Sequence, residues 1–309
     1  MNETVLSMKN VSKNFGKEQA LQNISLEVKR GDIYGLIGRN GSGKTTIMKL
    51  ITDLSRESKG TITLLGHTKQ NKKYTQALRH IGSVIEGPVA YTKLSAYENM
   101  KIMCLQKGIH DYSLIQETLA FVNLADTGNK KFKNFSLGMK QRLGIAMALI
   151  NNPDFLILDE PINGLDPIAI IEFRELLEKI NIERNTTILI SSHILTELYH
   201  VSTRFGFIHE GKIIQQISKD NFDLLCSEDT KVIVNDINAA SFVLREYMTR
   251  DFSTASNHEL RIHDTTLRVE EINRLLVTNN IDVSFIGKIE NSLETYYTNL
   301  VKDLGGESK

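Results

Sequence analysis

Residues 35–46, Gly-Leu-Ile-Gly-Arg-Asn-Gly-Ser-Gly-Lys-Thr-Thr, constrain the fold more than any other stretch of the chain. Gly38 to Thr45 fits the pattern G-x-x-x-x-G-K-[ST], and the run before it, Ile33–Ile37, reads as a short buried strand. A phosphate chain needs several backbone N–H groups aimed at it with no side chains in the way. Gly38, Gly41 and Gly43 allow the positive φ values and the close approach that this demands. A helix starting near Lys44, with Ile47, Met48, Leu50 and Ile51 as its apolar side, adds unpaired N–H groups and the positive end of its dipole. Gly38, Asn40, Gly41, Ser42, Gly43, Lys44, Thr45 and Thr46 are therefore assigned to nucleotide binding. Lys44 is expected to reach the outer phosphates and the Thr45 hydroxyl to bind Mg²⁺.

At 309 residues the chain has room for one large domain and a smaller one. Lys+Arg and Asp+Glu number 37 each, so no global basic field draws the chain to nucleic acid or an anionic membrane. Cys104 and Cys226 are far apart and sit in no metal-ligand spacing, which suits a reducing compartment and a filler role for both. The N-terminus carries an acid and no apolar segment of signal-peptide length, and no apolar run approaches the ~18 residues a bilayer span needs. A cytosolic chain is the expectation.

Residues 5–11, 24–28 and 61–65 alternate loosely and read as an antiparallel sheet flanking the loop. Phe15, expected in the turn Asn14-Phe15-Gly16, is an aromatic surface for a nucleotide base. Four short apolar runs, Ile33–Ile37, Ile81–Ile85, Phe155–Leu158 and Thr187–Ile190, recur with helical stretches between them, the pattern of a mostly parallel α/β sheet. Each ends in a residue of chemical interest: Gly38, Glu86, Asp159-Glu160 and Ser191-Ser192-His193. Ligands bind outside the carboxyl ends of such strands, so these four ends are expected to converge on one site. Asp159 would hold the metal directly or through water. Glu160 would polarise an attacking water, and His193 would meet the γ-phosphate or that water.

Between the second and third runs, residues 91–152 have little strand character. Ser95–Gly108 and Tyr112–Val122 are helical by pattern, with Met100, Met103 and Leu105 assigned to the core. The last helix of the segment runs from about Leu137 to Asn151 with Ser136 at its N-cap, an N-terminus that makes a second anion site. Residues 221–309 carry none of these motifs. Strands at Lys231–Val234, Glu259–Ile262 and Ile281–Ile286 and helices at Ala239–Met248, Val269–Leu276 and Ser292–Leu300 make a small α+β domain suited to dimerisation, partner contact or a structural role.

With these residues in view, residues 1–220 resemble the nucleotide-binding subunit of an ATP-binding-cassette (ABC) transporter, a P-loop NTPase with an antiparallel β subdomain and, at about 91–152, a helical subdomain. Phe135-Ser136-Leu137-Gly138-Met139 is similar to the family signature Leu-Ser-Gly-Gly-Gln, departing at Phe135, Leu137 and Met139. The resemblance implies that Ser136 and Gly138 touch phosphate, that Asp166 in Gly164-Leu165-Asp166 communicates across a subunit interface, that His193 is the switch histidine, and that Phe15 stacks on the base. It implies ATP and Mg²⁺ as ligands and an ATP-dependent homodimer, because the signature of one copy closes over the phosphate loop of the other. It also implies a separate multi-span permease, a place on the inner face of the cell membrane, and no nucleic-acid partner. Glu86 stands where most members have a glutamine that joins the Mg²⁺ shell while its loop touches the membrane partner. That glutamate, with Phe-Ser-Leu-Gly-Met-Lys-Gln-Arg, resembles the bacitracin-resistance and lantibiotic-immunity exporter ATPases of Gram-positive bacteria. A soluble cassette ATPase that remodels a macromolecule is the alternative.

Overall fold

The computed structural model describes residues 3–225, 229–264, 266–289 and 293–306. The chain divides into two compact units, Met1–Lys219 and Asp220–Lys309.

In chain order the first unit runs β1 (Thr4–Phe15), β2 (Glu18–Lys29), β3 (Ile33–Ile37), α1 (Lys44–Ile51), β4 (Lys59–Leu64), β5 (His67–Thr68), α2 (Tyr74–Ala77), β6 (Ile81–Val84), α3 (Ala96–Lys107), α4 (Ser113–Phe121), α5 (Leu137–Leu149), β7 (Phe155–Asp159), α6 (Pro167–Glu183), β8 (Thr187–Ser192), α7 (Leu195–Val201), β9 (Arg204–His209) and β10 (Lys212–Ser218). A six-stranded sheet of order β10-β9-β3-β8-β7-β6 forms the centre, parallel from β9 to β6 with β10 antiparallel at one edge. Its strands β3, β7 and β8 are buried along their whole length, which is why they read as continuous apolar runs rather than alternating ones. β3 lies beside β8 and β8 beside β7, so the exits at Gly38, Ser192 and Asp159 are neighbours.

A second, antiparallel sheet of order β2-β1-β4-β5 packs its alternate apolar residues, among them Leu6, Met8, Ile24 and Ile62, against α1 and one face of the central sheet. The helical segment is α3, α4 and α5. A reciprocal cap opens α3, with the Ser95 hydroxyl accepting from the Glu98 N–H and the Glu98 carboxylate accepting from the Ser95 N–H. Met100 is fully buried on α3, but Leu105 is 60% exposed. The core assignment for Leu105 is therefore corrected: only one stripe of α3 faces its neighbours, and Leu105 lies off it.

Four strands were not anticipated, β5, β9 and β10 here and β12 below. In the second unit, α8 (Lys219–Leu225) is followed by β11 (Asp229–Val234), α9 (Ile237–Tyr247), β12 (Phe252–Ser256), β13 (Glu259–Ile262), α10 (Val269–Thr278), β14 (Val283–Ile289) and α11 (Leu293–Gly306). The four strands form an antiparallel sheet of order β12-β13-β11-β14, and Val232, Val234, Leu260 and Ile262 bury against Leu244 of α9 and Ile272 and Leu276 of α10. Cys226 and Ser292 fall outside the described residues. Cys104 is buried and free.

Candidate nucleotide site

The chain leaves β3 at Gly38 and enters α1 at Lys44 through a loop whose shape depends on two glycines for different reasons. Gly43, the N-cap of α1, has φ +111°, and a Cβ there would lie 2.5 Å from Leu21 Cδ2. Gly38 does not adopt a positive φ, contrary to the expectation for all three glycines. A Cβ on it would lie 2.5 Å from the Ile208 carbonyl oxygen of β9, so close packing alone excludes a side chain. With glycine at the N-cap, no side chain caps the first N–H groups of α1. Ser42 Oγ is buried without a hydrogen-bond partner beside them.

Lys44, 4% exposed, lies inside the loop, its ammonium donating to the carbonyl oxygens of Gly38 (2.7 Å) and Arg39 (3.1 Å) and pairing with Glu160 Oε1 at 3.1 Å. A buried ammonium needs such acceptors, and two of the three come from the loop it braces. Thr45 Oγ1 donates to Asp159 Oδ2 at 2.7 Å, joining the first turn of α1 to the end of β7. A hydroxyl and a carboxylate side by side are hard oxygen donors of the kind Mg²⁺ takes in company with phosphate oxygens. Among the described residues no three His, Cys, Asp or Glu side chains gather to hold a metal by themselves.

Glu160 follows with φ +46°, a left-handed conformation that turns its side chain back across the sheet end. Its Oε1 meets Lys44, and its Oε2 lies 2.7 Å from His193 Nδ1. A carboxylate oxygen only accepts, so Nδ1 carries the hydrogen and Nε2 is the ring's other hydrogen-bonding atom. The Ser191 hydroxyl donates to Asp159 Oδ1 at 2.7 Å and accepts from the Glu160 N–H at 3.0 Å. Lys44, Thr45, Asp159, Glu160 and His193 are thus one connected group.

Lys44, Thr45 and Glu160 of that group line a cavity of about 660 Å³, a size usual for small-ligand sites. Asn40, Gly41, Gly43 and Thr46 line it with Lys44 and Glu160, and Phe15 stands at its mouth, 53% exposed, as the last residue of β1 rather than within the turn. Lys13, tied to the Arg56 carbonyl oxygen, holds its ammonium 4.6 Å from the Phe15 ring centroid. The turn between β9 and β10 closes one wall, where the Gly211 N–H donates to the Ser42 carbonyl oxygen at 3.0 Å and Glu210 lines the cavity. Glu210-Gly211 between two apolar runs is a hairpin signal that the sequence reading passed over.

Ser136, Gly138 and Asp166 lie elsewhere. Ser136 caps α5, accepting from the Met139 N–H at 3.3 Å, and Asp166 caps α6, accepting from the Ala169 N–H at 2.9 Å. They line a separate groove of about 320 Å³ with Arg142 and Glu172, which form an ion pair. The two cavities share no lining residue. Leu137 and Ile168 stand exposed in this second groove.

Glu86 is bound elsewhere. Its carboxylate pairs with Lys49 at 2.5 Å, one turn along α1 from Thr45. The cause is local: β6 ends at Val84, and Glu86 has φ +60° in the turn that follows. Beside that turn two adjoining cavities of about 360 Å³ each share Val89, Met103 and Met147, with Val89 84% and Leu54 69% exposed.

A family profile described as ABC transporter matches residues 21–163. The chain is 39% identical over 300 residues to the bacitracin transport ATP-binding protein BcrA of Enterococcus faecalis, covering 97% of each. It is 46% identical over 221 residues to the lantibiotic transport ATP-binding protein SrtF of Streptococcus pyogenes, covering 72% of this chain and 94% of that one. Among solved structures, a dimer of the ATP-binding cassette MJ0796 in a post-hydrolysis state bound to ADP and Pi superposes with a TM-score of 0.62 at 27% identity, over 69% of this chain and 98% of that one.

Proposed function

This chain belongs to the ABC transporter family of ATP-binding proteins, and from that premise we propose that it hydrolyses ATP to drive a separate membrane permease that exports an antimicrobial peptide of the bacitracin or lantibiotic kind. The observation that carries the reading is the separation of two half-sites. The phosphate loop with Glu160 lines one cavity, and the Ser136/Gly138/Asp166 groove, with exposed Leu137 and Ile168 in its lining, is another. One copy cannot close the second over the first, whereas two copies related by a twofold axis complete two sites at once. The dimeric MJ0796 structure supports this arrangement.

In that complex Phe15 stacks on adenine, and the loop N–H groups and Lys44 bind the phosphates. Thr45 and Asp159 would hold a Mg²⁺, which would supply neutralisation of charge on the phosphate oxygens. Lys44 exchanges Glu160 for phosphate, which frees the Glu160 carboxylate to accept a proton from the attacking water, with His193 orienting it. The N-terminus of the partner copy's α5 faces the γ-phosphate, and ATP joins the copies until hydrolysis releases them. No helix among the described residues is long and apolar enough to cross a membrane. The translocation path therefore belongs to a multi-span permease, which seats on the apolar groove at Val89, Met103 and Met147 beside Glu86 and places this chain on the inner face of the cell membrane. Purifying the tagged chain from gently solubilised membranes of its own cell and identifying its companions by mass spectrometry tests the reading. A permease in near-equal amount is expected, and recovery in the soluble fraction with ribosomal or assembly proteins would contradict it.

A further inference from the structure

We propose that Ser191 is a positioning residue that sets both acids of the nucleotide site at once, an inference that rests on the ATPase reading above. The parallel register places Ser191 of β8 directly beside Asp159 of β7. Its hydroxyl is fully buried and has both of its roles taken, donating to Asp159 Oδ1 at 2.7 Å and accepting from the Glu160 N–H at 3.0 Å.

Each bond has a separate consequence. Asp159 has two carboxylate oxygens, and Oδ2 is the one beside the Thr45 hydroxyl, where a metal would be held. With Oδ1 anchored to Ser191, the carboxylate cannot rotate about its last bond, so Oδ2 stays aimed at that point. Glu160 sits at φ +46°, a conformation a non-glycine residue keeps only where its surroundings hold it. The Glu160 N–H has left the β7–β8 ladder, which ends at the Asp159–Ser191 pair, and the Ser191 hydroxyl gives it an acceptor. That acceptor stabilises the backbone turn that carries the Glu160 carboxylate back to Lys44 and His193. One hydroxyl on the neighbouring strand therefore fixes the orientation of the metal-holding acid and the direction of the water-activating one. Ser191 itself reaches neither ligand.

Removing the hydroxyl should loosen both acids while leaving the phosphate loop, and so nucleotide affinity, nearly as it was. In Ser191→Ala the kcat of ATP hydrolysis should fall by roughly 10- to 100-fold with KM for ATP within about 3-fold, because the lost hydrogen bonds are buried and one of them is to a charged group. Binding of Mn²⁺ to the ADP complex, followed by electron paramagnetic resonance in the absence of turnover, should weaken several-fold. Ser191→Thr, which keeps the hydroxyl, should recover most of both properties. A hydroxyl that merely satisfied the strand end would lower the melting temperature and leave the Mn²⁺ affinity unmoved. Unchanged Mn²⁺ affinity in Ser191→Ala, or equal losses in Ala and Thr variants that both melt near the wild-type temperature, overturns the proposal while an active wild-type chain keeps the ATPase reading. A wild-type chain without Mg²⁺-dependent hydrolysis removes both.

Discussion

Replacing Glu160 by glutamine removes one charge from the site and leaves its shape, and the surroundings of Glu160 fix what should follow. One of its oxygens faces Lys44 Nζ at 3.1 Å and the other faces His193 Nδ1 at 2.7 Å. At an effective dielectric of about 20 the Lys44–Glu160 attraction is on the order of 5 kcal/mol before desolvation offsets most of it. A phosphate entering the loop competes with Glu160 for Lys44, so an uncharged side chain at 160 makes that exchange easier. ATP affinity should be unchanged or tighter. The chemical step should suffer instead: loss of a positioned general base lowers kcat by roughly 10²- to 10⁴-fold, about 2.7–5.5 kcal/mol of barrier. With binding kept and hydrolysis blocked, ATP-bound dimers should accumulate. Fluorescent-nucleotide titration, steady-state phosphate release, and size-exclusion chromatography with light scattering in the presence of ATP and Mg²⁺ read the three quantities. A variant that hydrolyses ATP at the wild-type rate, or that binds ATP tenfold more weakly, refutes the role given to Glu160.

Other perturbations separate the parts of the account. Phe15→Ala should weaken ATP binding by roughly 5- to 100-fold, the worth of one base–aromatic stack, with little change in kcat at saturation; equal affinity in an equilibrium titration would remove Phe15 from the site. Glu86→Gln breaks a surface ion pair with Lys49 worth at most about 1 kcal/mol, so melting and nucleotide affinity should barely move while peptide resistance of the cells falls; unchanged resistance would count against a coupling role. The Glu98 carboxylate is held at about 2, below its ordinary value, first by the Ser95 N–H and then by Lys131 and the Ser95 hydroxyl. A depressed carboxylate stabilises the folded state above the unfolded-state pKa of about 4.3. The wild-type advantage in melting temperature over Glu98→Ala should accordingly be full at pH 6 and shrink as pH falls toward 2, and an advantage that grew on acidification would contradict the assignment.

The phosphate loop was legible because its requirement is local: three glycines, a lysine and a threonine at fixed spacing after a buried strand specify a loop without reference to the rest of the chain. The parallel strands were legible from their unbroken apolar runs, and α3 from its helical pattern between Ser95 and Gly108; the Ser95–Glu98 cap that fixes its start is a finding of the structure. What escaped depends on pairing between distant segments. Ser191 is one of two adjacent serines, and only the register of β8 against β7 selects it for Asp159. The partner of Glu86 is Lys49, 37 residues away, which no spacing rule connects. Gly38 looked like a residue needing a positive φ, but its constraint is the Ile208 carbonyl oxygen, on a strand that the sequence reading had not placed. Leu105 looked apolar enough for the core, and α3 turns it outward.

The central claim is that each nucleotide site is completed by a second copy of the chain, and mixing two inactive variants tests it most directly. Lys44→Ala disables the phosphate loop, while Gly138→Asp sets a carboxylate at the signature where a Cβ has ordinary 3.7 Å contact with Ala169, so the fold accommodates it. Each variant alone should hydrolyse no ATP above background. In an equal mixture half of the dimers are mixed and each of these holds one intact site of two, so activity should return to about a quarter of the wild-type level. A mixture that stays as inactive as its parts would mean that the site lies within a single chain.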